Sequence, residues 1–257
     1  MTFVACIVPV CPMRKEAGHR TEMVSELLFG EMAEVIEESK AFTKLRSVYE
    51  GYEGWCQTSQ LTSIDVLQAN QSTDLLTAEW IAAIDFNGHP MQLPMGSSLG
   101  LLSGGKGKIG QYSVTYNRKT WNPSTVLFSG EAMKMFSLQY LNTPYLWGGR
   151  SVFGIDCSGF VQQVFCFFNK KLPRDAYQQA TKGEVVGFLQ EAQCGDLAFF
   201  DNDEGQITHV GLLLNAETII HASGKVRIDR IDNMGIVNTD TGERTHRLRI
   251  IKRYFGR

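Results

Sequence analysis

The chain has 257 residues, 43% of them hydrophobic and 20% charged, with a formal net charge of -2 at pH 7. That is enough chain to bury a substantial core, as one large domain or as two to three small ones. The near-neutral balance gives no electrostatic footprint for nucleic acid or an anionic membrane, so neither is expected as a partner. The six cysteines, Cys6, Cys11, Cys56, Cys157, Cys166 and Cys194, include no CxxC pair. No metal site or cofactor is therefore expected, and most of these thiols read as small buried hydrophobes.

At the N-terminus, MTFVACIVPVCPMRKE is apolar from Phe3 to Val10, but no basic residue precedes the apolar run and the positive charges follow it. That polarity is wrong for a secretory signal, so a cytoplasmic protein is expected. Alternating Phe3, Ala5 and Ile7 read as a first strand. The runs LLFGEMAEVIEES and LRSVYEGYEGWCQTSQL continue the pattern of short strands and turns, predicting a small β-barrel over residues 1–65. Residues 66–125 are richer in glycine, with MQLPMGSSLGLLSGGKGKIGQYSVTYN at their centre, and read as a second, divergent barrel-like segment.

Composition shifts near Asn122-Pro123. Ser129 can cap a helix to about Leu141, with Glu131 in its first turn and Met133, Phe136 and Tyr140 at helical spacing. A second helix begins after Asp156, its apolar face made by Phe160, Val161, Val164, Phe165 and Phe168. Beyond residue 195 come the strand-like runs GDLAFF, HVGLLL, TIIHAS, KVRIDRI and RLRIIKRYF. Helices first and strands after predict an α+β domain over residues 126–257, with the helices packed on an antiparallel sheet.

Within GIDCSGF, Asp156 is a good N-cap and places Cys157 in the first turn of the second helix. Unpaired N–H groups and the helix dipole there favour a thiolate. His209 opens the strand HVGLLL and His221 lies late in TIIHAS. In a hairpin of these strands both fall near one end of the sheet, where His209 can take the proton of Cys157 and His221 can orient its ring. Spacing alone leaves open two satisfied strand-end histidines or a Cys-His-His zinc site. His19, His89 and His246 show no partner in sequence and receive no catalytic role. Trp55 and Trp147 read as packing residues.

PYLWGGR, GIDCSGF, LPRDAYQQA, GDLAFF, THVGLLL and IIHASG occur in this order over residues 144–224. Together they resemble the NlpC/P60 cysteine peptidases, which implies a papain-like fold whose nucleophile helix precedes the sheet. The resemblance implies Cys157 as nucleophile, His209 as base, His221 as third member and Tyr145 as a stabiliser of the oxyanion. HRTEMVSELLFGE followed by YEGYEGW is similar to the bacterial SH3 module of the γ-D-glutamyl-L-diamino acid endopeptidases. There the module walls off one side of the cleft and demands a free N-terminal L-alanine. Glu22 and Tyr52 match its contribution, with Tyr49 as the alternative to Tyr52. Asp156 and Ser158 match the residues holding the substrate's amine and D-glutamate; Asp156 also reads as a helix cap alone. Relatives often carry a serine just after LPRD, where this chain has Ala176 and Tyr177.

The resemblance implies a monomeric endopeptidase that cleaves small murein peptides, L-Ala-γ-D-Glu-diamino acid, between glutamate and diaminopimelate or lysine, in wall-peptide recycling. The alternatives are an amidase or acyltransferase of the same fold, or an inert wall-binding module.

Overall fold

Alternation in the first strand, Phe3–Cys6, sends Val4 and Cys6 to one side and Phe3 and Ala5 to the other, and both sides are covered. The computed structural model describes residues 2–70 and 72–256. Two units emerge. Residues up to Val126, with Trp147–Phe153 and Cys166–Lys171, form the first. Leu127–Leu146, Gly154–Phe165 and the residues from Leu172 onward form the second.

In the first unit, seven antiparallel strands lie in the order Met23–Leu28, Val10–Arg14, Glu53–Gln57, Phe42–Ser47, Met32–Glu38, Phe3–Cys6 and Leu61–Ile64. Val4, Cys6, Cys11, Met13, Leu27, Ala33, Leu45 and Cys56 fill the core on one face of this sheet. The opposite face supplies Ala5, Ile7, Phe29 and Ile64 to a second core, completed by Ala82, Ile84, Leu93, Leu99, Leu102, Ile109, Val114 and Tyr116. The segments read as two barrels, 1–65 and 66–125, are thus joined by one shared core. The second segment contributes a four-stranded sheet in the order His89–Pro94, Ile81–Phe86, Tyr112–Thr115 and Lys106–Ile109. Its hairpin turns at Asn87-Gly88, with φ of 55° and 83°. Positive φ at both positions is what a two-residue primed turn requires, and Asn-Gly supplies it at little strain.

The second unit begins with the helix Gly130–Gln139, whose N-cap Ser129 accepts from the Ala132 N–H at 3.1 Å as the sequence predicts. The helix Cys157–Cys166 follows. Every residue from Cys157 to Phe165 is buried, polar Gln162 and Gln163 included. Phe160 meets Tyr140 edge-on at 5.9 Å, and Phe165 packs against Tyr254 and Phe255. Two ten-residue helices and the short Ala176–Gln179 stand against seven strands, so the unit is more sheet than the expected α+β balance. The strands Leu197–Asp201, Ile207–Leu213, Thr218–Ser223, Lys225–Asp232, Gly235–Val237 and Arg244–Arg253 pair antiparallel in succession. Arg244–Arg253 then returns to pair with Leu197–Asp201, which closes the ring. Closure removes the free edges that an open sheet would leave. Glu184–Val186 adds a short seventh strand outside it.

Candidate active site

Asp156 caps the second helix: its Oδ1 accepts from the Gly159 N–H at 2.7 Å. Cys157 is the first helical residue and is 7% exposed. Its sulfur faces the backbone N–H of Val210, next in chain to His209. The histidine hairpin is as predicted, with Ile207–Leu213 and Thr218–Ser223 as adjacent strands. His209 Nε2 and His221 Nδ1 are 2.8 Å apart, and both rings are buried. Gly211 permits this approach, because a Cβ there would lie 2.8 Å from the Cβ of His221.

The row continues beyond the three expected residues. His221 Nε2 lies 3.0 Å from Asp229 Oδ2, and Asp229 is 2% exposed. Asp229 also accepts from Arg227 Nε at 2.8 Å and Nη2 at 2.9 Å, and from the Thr239 N–H at 2.8 Å. Burial opposes its charge, yet these bonds prevail and hold the carboxyl well below its ordinary range. A carboxylate only accepts, so His221 gives it the Nε2 proton. With one proton on that ring, Nδ1 is left to accept from His209 Nε2–H. His209 Nδ1 is thereby the bare nitrogen, the one available as a base. Asp229→Asn is expected to lower kcat by about 10²-fold with KM little changed, because the amide no longer fixes this proton order. Steady-state kinetics check it.

The expected lowering of the thiol pKa is not what the site produces. Burial pushes Cys157 up to about 12, and the negative charge of Asp156 adds to this. The N–H groups of Val210 and Ser158 and the charge of Arg174 pull the other way without prevailing. Burial likewise pushes His209 well below its ordinary value, with His221 and His246 adding to it. At rest the Cys157 thiol and the His209 imidazole are both neutral. Protonating His209 removes the base, and its depressed pKa delays that loss to low pH. The kcat/KM profile is therefore expected to stay flat below the ordinary histidine value of about 6.5 before falling on the acid side. No alkaline limb is expected before about pH 10, since the thiol stays protonated until higher pH. An acid limb at or above 6.5 in a pH–rate series would refute the neutral pair.

Tyr145 lines a cavity of about 280 Å³ with Thr208, His209, Ala222, Ser223, Gly224 and His246. Its N–H donates to the Gly224 carbonyl at 3.0 Å. Burial raises its phenol pKa, the nearby Cys157 and Asp156 add to the rise, and the hydroxyl remains a proton donor.

Asp156 and Ser158 lie in a buried network around a residue the sequence reading passed over. Arg174 is 2% exposed; its Nη1 donates to Asp156 Oδ1 at 3.0 Å and Ser158 Oγ at 2.9 Å, and its Nη2 to Asp156 Oδ2 at 2.6 Å. A buried arginine requires a paired carboxylate, and that requirement was the signal in LPRD. Ala176 is buried and Tyr177 exposed on the short helix that follows.

In the first unit, Glu22 is exposed and accepts from Trp147 Nε1 at 3.0 Å, with Lys15 at 3.4 Å. Trp147 is 61% exposed, so the reading of it as a packing residue is corrected. Tyr52 packs, half-buried, against the core around Cys11 and Cys56. Tyr49 instead lies under Arg150, whose guanidinium carbon is 5.7 Å from the ring centroid. His246, given no role from sequence, stacks on His209 with ring centroids 4.1 Å apart.

Residues 142–245 match the NlpC/P60 family, and residues 13–61 match the bacterial dipeptidyl-peptidase SH3 domain. The chain carries an NlpC/P60 domain behind a bacterial SH3 domain. A γ-D-glutamyl-L-lysine dipeptidyl-peptidase of Bacillus subtilis is 45% identical over 85 residues, 32% of this chain and 28% of that protein. Dipeptidyl-peptidase 6 of Lysinibacillus sphaericus is 28% identical over 254 residues, 84% of this chain and 87% of that one. The chain thus spans well under half of the first relative's length. Among solved structures, an NlpC/P60 family protein from Bacillus cereus aligns with a TM-score of 0.81 at 19% identity, covering 98% of this chain and 99% of that one. The NlpC/P60 fold with an N-terminal SH3-like all-β region follows from that likeness.

Proposed function

We propose that this protein is a cysteine endopeptidase that hydrolyses the bond between γ-D-glutamate and diaminopimelate or lysine in peptidoglycan peptides with a free N-terminal L-alanine. The observation that carries the reading is the hydrogen-bonded row His209–His221–Asp229, which frees His209 Nδ1 on the strand whose Val210 N–H faces the helix-start Cys157. The names of the Bacillus subtilis and Lysinibacillus sphaericus relatives support the choice of substrate. The order of nucleophile helix, base strand and orienting strand supports a papain-like layout.

In this reading the thiol proton passes to His209 Nδ1 as the sulfur attacks the γ-carbonyl. The Cys157 N–H and the Tyr145 hydroxyl face the oxyanion that forms. His209 then returns the proton to the leaving amine, the C–N bond breaks, and a γ-glutamyl thioester remains on the sulfur. Water deprotonated by the same nitrogen hydrolyses it, releasing the glutamyl γ-carboxylate and the thiol. Asp156, Ser158 and Arg174 are proposed to present their polar network to the substrate's D-glutamyl end. A cytoplasmic role in recycling wall peptides belongs to the same proposal, and cell fractionation tests it.

Mass spectrometry of products from L-Ala-γ-D-Glu-diaminopimelate, with and without the alanine, decides the substrate. Release of free diaminopimelate from the tripeptide, and about 10²-fold less from γ-D-Glu-diaminopimelate, is the expected result. Equal rates on the two would exclude recognition of the N-terminal alanine.

A further inference from the structure

His209 is held at its edge by one imidazole and across its face by another. The His246 ring lies against it at 4.1 Å between centroids, with the planes inclined by only 28°. Phe200 closes on both rings, 5.7 Å from His209 and 5.9 Å from His246. His221 stands nearly perpendicular to His209, at 83°, and meets the Nε2 edge of that ring through its own Nδ1. His246 comes from the closing strand Arg244–Arg253, and it lies one residue beyond the stretch that matches the NlpC/P60 family. It lines the same cavity as Tyr145 and His209. Its Nδ1 is 2.8 Å from Thr245 Oγ1, and no described residue hydrogen-bonds its Nε2.

We propose that His246 is a positioning residue for the base: its ring face holds the His209 imidazole in the orientation that aims Nδ1 at Cys157 and shields that face from water. The inference rests on His209 being the base. An imidazole tied at one nitrogen alone can swing about that bond, and a side chain packed across its face stops the swing. A flat aromatic contributes dispersion contact over the whole ring face at little entropic cost. The groups around His209 are His221 from its neighbouring strand, with Asp229 and Arg227 behind it, His246 across its face and Tyr145 in the same cavity, while the Cys157 sulfur faces the N–H of the next residue, Val210. Burial holds His246 down to about 4, with the nearby His221 adding to this while Asp229 opposes it. At neutral pH His246 therefore adds no positive charge beside the base, and its cover adds to the desolvation that keeps His209 unprotonated.

The test compares His246→Ala and His246→Phe with the parent protein. His246→Ala is expected to lower kcat on L-Ala-γ-D-Glu-diaminopimelate by about 10-fold with KM unchanged, and to move the acid limb of kcat/KM up toward about 6.5 as water reaches the ring. His246→Phe restores the flat cover and is expected to recover most of the lost kcat. An NMR titration of the His209 ring in both variants reads the same pKa shift without turnover, so it stands even if the substrate assignment fails. If His246→Ala keeps the parental kcat and His209 titration, the proposal is wrong. It is equally wrong if His246→Phe is as impaired as His246→Ala, which would give the role to the nitrogens instead of the ring face. His209→Ala separates the two layers: full activity there overturns the base assignment itself.

Discussion

Cys157→Ala is expected to lower kcat/KM on L-Ala-γ-D-Glu-diaminopimelate by at least about 10⁴-fold while the protein stays folded. The sulfur is the strongest nucleophile at the site, a thiol at the start of a helix where the neighbouring side chains offer only a carboxylate and a hydroxyl. Asp156 is committed to Arg174 and the helix cap, and the Ser158 hydroxyl sits in the same network. Stability should change by about 1 kcal/mol or less, because alanine suits a helix and the atom removed is small. Kinetics and a thermal melt on the same preparation check both halves. A variant that retains a hundredth of parental turnover would sink the nucleophile assignment.

The largest effect on stability is expected at Arg174. Arg174→Met leaves the Asp156 carboxylate buried without its cation, a situation that costs about 3–5 kcal/mol. For a chain of this size that lowers the melting temperature by roughly 10 °C. Asp156→Leu should be as costly, since it strands the guanidinium and removes the helix cap, itself contributing about 1 kcal/mol. The double variant is expected to lose clearly less than the sum of the two, because neither charge is then left alone. Additive losses in chemical denaturation would mean that the pair is not coupled as its geometry indicates.

Much of this site could be read from the chain because its signals are local. Asp156 before Cys157 announces a capped helix, and Ser129 does the same for the preceding one. His209 and His221 lie twelve positions apart on two strands that pair as neighbours, so their meeting follows from one turn. What escaped depends on partners distant in sequence or on charge hidden by context. Asp229 stands among Arg227, Arg230 and Asp232, where alternation reads as a solvated strand and no local cue marks the one acid turned inward. Arg174 looked like a loop residue until the helix cap it neutralises was in place. His246 reaches His209 because one strand pairs at both ends of the sheet, and periodicity reports strands without reporting closure. The second core escaped for a related reason: the first strand is buried on both faces, while its sequence announces only that it alternates.

The covered, protonated sulfur at the helix start also governs what can modify it. Thiol reagents and peroxides attack the thiolate and need open approach, and Cys157 is a 7% exposed residue with its thiol pKa pushed up to about 12. Iodoacetamide or hydrogen peroxide should therefore inactivate the protein slowly. Under the proposed function an electrophile carried on a γ-D-glutamyl scaffold is expected to differ, because seating it would place the reactive carbon where His209 can take the proton as the bond forms. Selectivity for such a probe over every common alkylating agent is thus built into the resting state of the nucleophile.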